Sequence, residues 1–179
     1  MNLEEEIKIY GAKGAVIKYI HEYDNKIPIE PYVLIPVGYD WRNYQSEINK
    51  LGNSLVRSSS PLEDGERLSF AGLFRTEKFD GEDSINLVLD STKSEDALDY
   101  ARIHNIFEPI TMGLVFQRNS NSSWNYNMLR HPHQENLIFI MGRPVYNPYS
   151  YSENYIFDEN IKVPPEIEDV LEIYKKIES

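Results

Sequence analysis

The chain has 179 residues, 41% of them apolar and 26% charged, which suits one globular domain or two small lobes with a real core. It contains no cysteine, which excludes a disulfide framework and a thiolate zinc site. A formal charge of -11, from 18 basic and 29 acidic residues, argues against a nucleic-acid partner, because the basic residues are not clustered beyond Lys175-Lys176. The opening MNLEEEIKIY lacks the apolar stretch of a secretory signal, and no apolar run reaches membrane-spanning length. The expectation is a cytoplasmic protein with no membrane partner.

In chain order, Gly11-Ala12-Lys13-Gly14 precedes a helical pattern in which Val16, Tyr19, Ile20 and Tyr23 share one face. Asp24-Asn25 reads as its stop. Pro28 and Pro31 bracket an extended lead into a strand over Tyr32-Val33-Leu34-Ile35, which Pro36 and Gly38 end. A short helix is predicted from Tyr39 to Leu51, closed by Gly52, and a second strand from Asn53 to Ser58. Pro61 to Arg67 reads as a loop, Leu68 to Phe79 as a hairpin arm before a turn at Gly81, and Ile85 to Leu89 as a strand. Thr92-Lys93-Ser94-Glu95 has the form of a capping box with Thr92 as N-cap. Its helix runs through Ala97, Leu98, Ala101 and Arg102 to about Asn105. Met112 to Gln117 is a strand and Asn119 to Ser123 a loop. Strands over Asn127–Leu129 and Leu137–Met141 flank His131-Pro132-His133. Gly142 to Asn154 reads as irregular. Pro164-Pro165 opens a last helix with Ile167, Val170, Leu171, Tyr174 and Ile177 in one stripe. Interleaved strands and helices with a hairpin-like middle predict an α+β domain with a mixed, mainly antiparallel sheet.

The segment VRSSSPLEDGERLSFAGLFRT, residues 56–76, carries the chemistry. Arginine grips phosphate bidentately, and Arg57 ends an apolar strand beside Ser58, Ser59 and Ser60, whose hydroxyls and backbone N–H groups supply further donors. Lys13 sits between two glycines that let the backbone approach a ligand, ahead of a helix N-terminus. The alternative reading makes Lys13 a turn lysine and pairs Arg57 with Glu63 or Asp64. Phe70 is expected in the core and Gly72 at a close backbone approach.

As a string, residues 56–76 resemble the "VRSS…ED…SFAG" signature of the N-terminal ATP-binding domain of the phosphoenolpyruvate synthase and pyruvate phosphate dikinase family. Gly11-Ala12-Lys13-Gly14 is similar to that family's "GGKG" opening, and Pro28 to Leu34 to its "VPPGFVVT" strand without the glycine. Met112 to Arg118 resembles the strand written "VxVQxMV", and Ala97 to Arg102 the helix before it. The resemblance covers roughly residues 8–118. It implies an ATP-grasp-like fold, with Lys13 and Arg57 on the phosphates of ATP, Ser58 and Ser59 beside them, and Gln117 near the base. It places Glu63 and Asp64 on the family's acidic pair; magnesium ligands would have to come from Glu63, Asp64 or Glu135, or from another chain. The family's magnesium-binding "DIEW" motif, its phosphohistidine domain and its pyruvate-binding barrel have no counterpart here.

Two functions follow as expectations. One is a nucleotide-binding domain serving ATP-dependent phosphoryl transfer, which works by positioning and charge neutralisation; the missing parts would sit on a separate phosphohistidine-domain protein. The other is a non-catalytic interaction or regulatory module that kept the fold without the magnesium site. His131 and His133 suit a polar loop better than a metal site, since no third ligand stands near them in sequence. His21 and His104 read as exposed helix residues. Tyr146, Tyr149, Tyr151 and Tyr155 suit either a partner surface or rings packed on the domain.

Overall fold

A computed structural model describes residues 2–23, 27, 29–63, 69–70, 72–120, 124–131, 134–144 and 153–158. The chain forms two units, Met1–Asn119 and Ser120–Ser179. The first is α+β. Its elements are α1 (Leu3–Tyr23), β1 (Tyr32–Ile35), a 3-10 turn at Trp41–Tyr44 leading into α2 (Gln45–Leu51), β2 (Ser54–Ser59), β3 (Thr76–Lys78), α3 (Glu82–Asp90), α4 (Glu95–Ile103) and β4 (Gly113–Arg118). The sheet is antiparallel in the order β1-β4-β2-β3.

Strand register divides the sheet into two faces, because successive side chains alternate. Ile35 opposes Leu114, and Val33 and Val56 both oppose Phe116, so these five residues share one face. That face packs on Ile48 and Leu51 of α2 and on Ile85 and Val88 of α3. Phe116 is fully buried, with Phe79 edge-on at 5.3 Å. Each such side chain contributes about 1.5–3 kcal/mol on burial. Arg57 opposes Val115, Leu55 opposes Gln117, and Ser59 opposes Gly113, so Arg57, Ser59 and Gln117 lie on the other face.

Three sequence expectations are corrected here. Ile85–Leu89 is not a strand but the body of α3. Ser84, Ile85 and Val88 point inward at helical spacing, Leu87 is 48% exposed, and Glu82 and Asp83 favour the positive end of the first turn. The N-cap of α4 is Ser94 rather than Thr92: Ser94 Oγ accepts from the Ala97 N–H at 3.2 Å, while Thr92 lies in a preceding 3-10 turn and donates to the Leu89 carbonyl. In α1 the helix is real, but it begins at Leu3 and its buried face is made of Ala12, Gly14 and Ala15; Val16 and Tyr19 face outward at 43% and 38% exposure. Small residues win that face because the helix backbone lies close to β2.

Other expectations for this unit are met among the described residues. Tyr32–Ile35 is β1, Gly52 ends α2 with φ 68°, and the Leu68–Phe79 arm supplies β3. Asp40 caps the 3-10 turn, and the Arg42 backbone N–H holds its carboxyl below the usual carboxylate range against the opposing effect of desolvation, with the Arg42 guanidinium adding to it. His21 and His104 are exposed; the His21 ring makes a 2.7 Å hydrogen bond with the Tyr32 hydroxyl, and burial pushes that phenol above its ordinary pKa.

The second unit holds a three-stranded antiparallel sheet in the order β5-β6-β7, with β5 Trp124–His131, β6 Gln134–Pro144 and β7 Glu153–Asp158. β5 and β6 form a hairpin whose register shifts at Arg130/His131. Both strands are longer than predicted, so Gly142 and Arg143, expected in an irregular stretch, pair with Tyr126 and Asn125. β7 is an addition to the sequence reading; it carries Tyr155 opposite Ile140. Pro132, His133, Tyr146, Tyr149, Tyr151 and the helix expected after Pro164 lie outside the described residues.

Candidate functional site

Lys13, Ser58, Ser59 and Glu63 meet where β2 ends and β4 begins. The cause is Gly11. It interrupts α1 with φ 75° and ψ 173°, and a Cβ there would stand 1.9 Å from the Ser59 carbonyl oxygen. Only glycine fits both the left-handed backbone and the contact. The kink brings the helix onto the strand end: the Ala12 N–H donates to the Ser60 carbonyl at 3.1 Å and the Gly14 N–H to Ser59 Oγ at 2.9 Å. Ser59 Oγ donates in turn to the Tyr10 carbonyl at 2.7 Å. Gly113 completes the crossing, since a Cβ there would meet the Ile35 and Tyr10 carbonyls at 2.9 Å. Glu6 and Lys18, joined at 2.7 Å, tie the two halves of α1 across the kink; that hydrogen bond raises the Lys18 ammonium above its ordinary pKa, against a smaller lowering by desolvation.

This geometry puts Lys13 beside the serines. Its Nζ lies 3.4 Å from Ser58 Oγ and pairs with Glu63 Oε1. Glu63 is buried, at 1% exposure, while Lys13 keeps 28%. Ser58 Oγ donates to Glu63 Oε1 at 2.9 Å and the Ser60 N–H to Oε2 at 3.2 Å. The carboxylate therefore has a cation, a hydroxyl and an amide around it, which offsets the large cost of burying its charge. The Ser69–Gly72 block holds the loop that carries it. Phe70 is fully buried, stacked on Phe74 and edge-on to Tyr100 at 4.8 Å. The Phe70 N–H returns to the Leu62 carbonyl, and Ser69 Oγ donates to the Glu63 carbonyl at 2.7 Å. Gly72 has φ 80° with open space around it, so the backbone angle and not close packing calls for glycine there.

Arg57 lies on the opposite sheet face from Ser58, as alternation along β2 requires. Its Nη1 donates to Gln117 Oε1 at 3.0 Å, and both side chains are half-buried. The alternative pairing of Arg57 with Glu63 does not form: Glu63 takes Lys13, and Arg57 takes Gln117. The structure gathers Lys13, Ser58 and Glu63 in one cluster and Arg57 and Gln117 in another, with Ser59 holding α1 between them. Asp64 lies outside the described residues, and Glu135 is placed on β6 of the second unit. Among the described residues no three His, Asp or Glu side chains come together to hold a metal ion. Glu63 itself already has both oxygens engaged. Sequence reasoning named Ser60 as a donor but not the Glu63 carboxylate its amide holds, and it missed Gly113; a glycine opening an otherwise apolar strand was the available signal.

Compared with known proteins, the chain matches no protein-family model and no curated protein. Among the described residues no helix is long and apolar enough to cross a membrane.

Proposed function

We propose that the Met1–Asn119 unit binds the polyphosphate of a nucleotide, ATP by the resemblance of its motifs to the synthase and dikinase ATP-binding domain. In this reading Lys13 and Arg57 are the phosphate ligands, Ser58 and Ser59 frame them, and Gln117 stands towards the base. One observation carries it: residues from three segments spanning more than 100 positions are gathered around the last strand residues of β2. Both cations retain some access to solvent, as a phosphate site requires. Magnesium would enter as the nucleotide's own counter-ion. Phosphoryl transfer from this site needs carboxylates and an acceptor beyond the described residues, and a separate phosphohistidine-domain protein is the partner proposed for it.

A second reading has its own observation. Lys13 and Arg57 are each already satisfied inside the protein, by Glu63 and Gln117, which suits a domain that kept the fold as an interaction module. Calorimetric titration of ATP, with and without magnesium, into the wild type and Arg57→Ala separates the two. Binding that is lost in Arg57→Ala supports the nucleotide site. No heat at millimolar ATP with folded protein leaves the interaction module.

A further inference from the structure

The nucleotide reading uses Lys13 but gives no role to its partner Glu63, the most deeply buried carboxylate among the described ion pairs. Glu63 is almost wholly shielded from water, yet it is not fixed by Lys13 alone. Ser58 Oγ and the Ser60 N–H give it two further donors, and both are backbone-anchored at the end of β2. Lys13 is the more exposed partner, a long side chain with many rotamers on the helix rather than on the loop. The pair is therefore asymmetric. The carboxylate keeps hydrogen-bond partners if Lys13 leaves, whereas Lys13 is neutralised for as long as it stays.

We propose that Glu63 is a specificity-determining gate on Lys13, an internal anion that any phosphate ligand must outcompete. This rests on the nucleotide reading above. A carboxylate on the same chain is present at high effective concentration, so a lone phosphate gains little by displacing it. A polyphosphate gains more, because it brings several charges to Lys13 where a monophosphate brings one or two. The site thereby favours nucleoside di- and triphosphates and inorganic tripolyphosphate over monophosphates. Glu63 positions Lys13 and touches no ligand itself.

The test is calorimetric titration of ATP, AMP and inorganic tripolyphosphate into the wild type and Glu63→Gln, which removes the charge and keeps one acceptor oxygen for Ser58 and Lys13, while the Ser60 N–H loses its acceptor. The expected result is that the wild type takes ATP and tripolyphosphate but not AMP. Glu63→Gln should bind ATP about tenfold more tightly, since a unit charge beside Lys13 has gone, and should acquire binding of AMP. Wild-type binding of ATP with no gain in Glu63→Gln overturns the gate and leaves the nucleotide site standing. Absence of ATP binding in both proteins overturns both. Should Glu63→Gln fail to fold, the wild type labelled with 13C at the glutamate carboxyls carries the test. ATP should then shift the Glu63 carboxyl resonance as Lys13 leaves it, and an unshifted resonance at saturating ATP overturns the gate.

Discussion

Replacing Lys13 by methionine should destabilise the protein before any ligand is considered. Methionine keeps most of the stem's length and apolar contact but removes the cation. What remains is a carboxylate at 1% exposure with two hydrogen-bond donors and no counter-charge. Breaking a fully buried ion pair costs about 3–5 kcal/mol, and an exposed pair contributes about 0–1 kcal/mol. Lys13 is 28% exposed, so water screens the pair in part, while Glu63 retains its serine contacts. The loss should fall near the lower end of the buried range, about 3 kcal/mol. Urea unfolding at pH 7, followed by the helical circular-dichroism signal, measures it, since the helices among the described residues, α1 to α4, all lie in the first unit. The decisive comparison is the double variant Lys13→Met/Glu63→Gln, in which no buried charge is left unpaired. It should recover most of the loss. A single-variant loss below about 1 kcal/mol, or a double variant no better than Lys13→Met, would refute the argument that Glu63 is buried as an anion and depends on Lys13.

Further outcomes follow from the same geometry. Gly11→Ala combines a left-handed backbone with a Cβ placed 1.9 Å from the Ser59 carbonyl; it should cost about 3 kcal/mol or more, as a conformational penalty plus disrupted hydrogen bonds at Ser59 and Ser60, read as a fall in the urea midpoint. Ser94→Ala should lower stability by about 1 kcal/mol, with Thr92→Ala costing less, and the order of the two in thermal melts reports which residue caps α4. Asp40→Asn probes pH dependence. The folded-state pKa of Asp40 is depressed, so its contribution is present above the ordinary value of 3.8 and is lost as pH falls through the lower folded value. The stability difference between wild type and Asp40→Asn should therefore shrink on acidification below that value and stay flat from pH 5 to 8. A difference that grows as the pH drops would contradict the cap.

How far the sequence foretold this structure depends on what each segment had to reveal. β1, β2 and β4 were legible because their apolar runs are short, β-branched and bounded by proline, glycine or serine. α3 was not, because Ile85-Asn86-Leu87-Val88-Leu89 is as long as a strand and as apolar as one. Only the burial of Ile85 and Val88, with Leu87 left in solvent, distinguishes the periods. In α1 the large apolar residues drew attention to the wrong face, since close packing on a strand selects glycine and alanine instead. The candidate site was legible as a set of residues but not as a set of pairs. Lys13, Arg57, Glu63 and Gln117 were all named, yet partner choice follows from strand alternation and from the kink at Gly11. The conformation at Gly11 had no sequence signal beyond the glycine itself.

The strand order β1-β4-β2-β3 has a consequence for how this protein is made. β1 pairs only with β4, and β4 is the last strand of its unit to leave the ribosome. During synthesis, at about 5–20 residues per second, the β2–β3 hairpin has its partners early, but β1 and the Tyr10–Gly11 crossing wait for Gly113. The nascent chain must carry β1 without its partner strand for roughly eighty residues of elongation. The Lys13 cluster, drawn from α1 and the end of β2, needs no residue of β4, whereas the Arg57–Gln117 pair is completed only when β4 slots between the two strands that have waited for it.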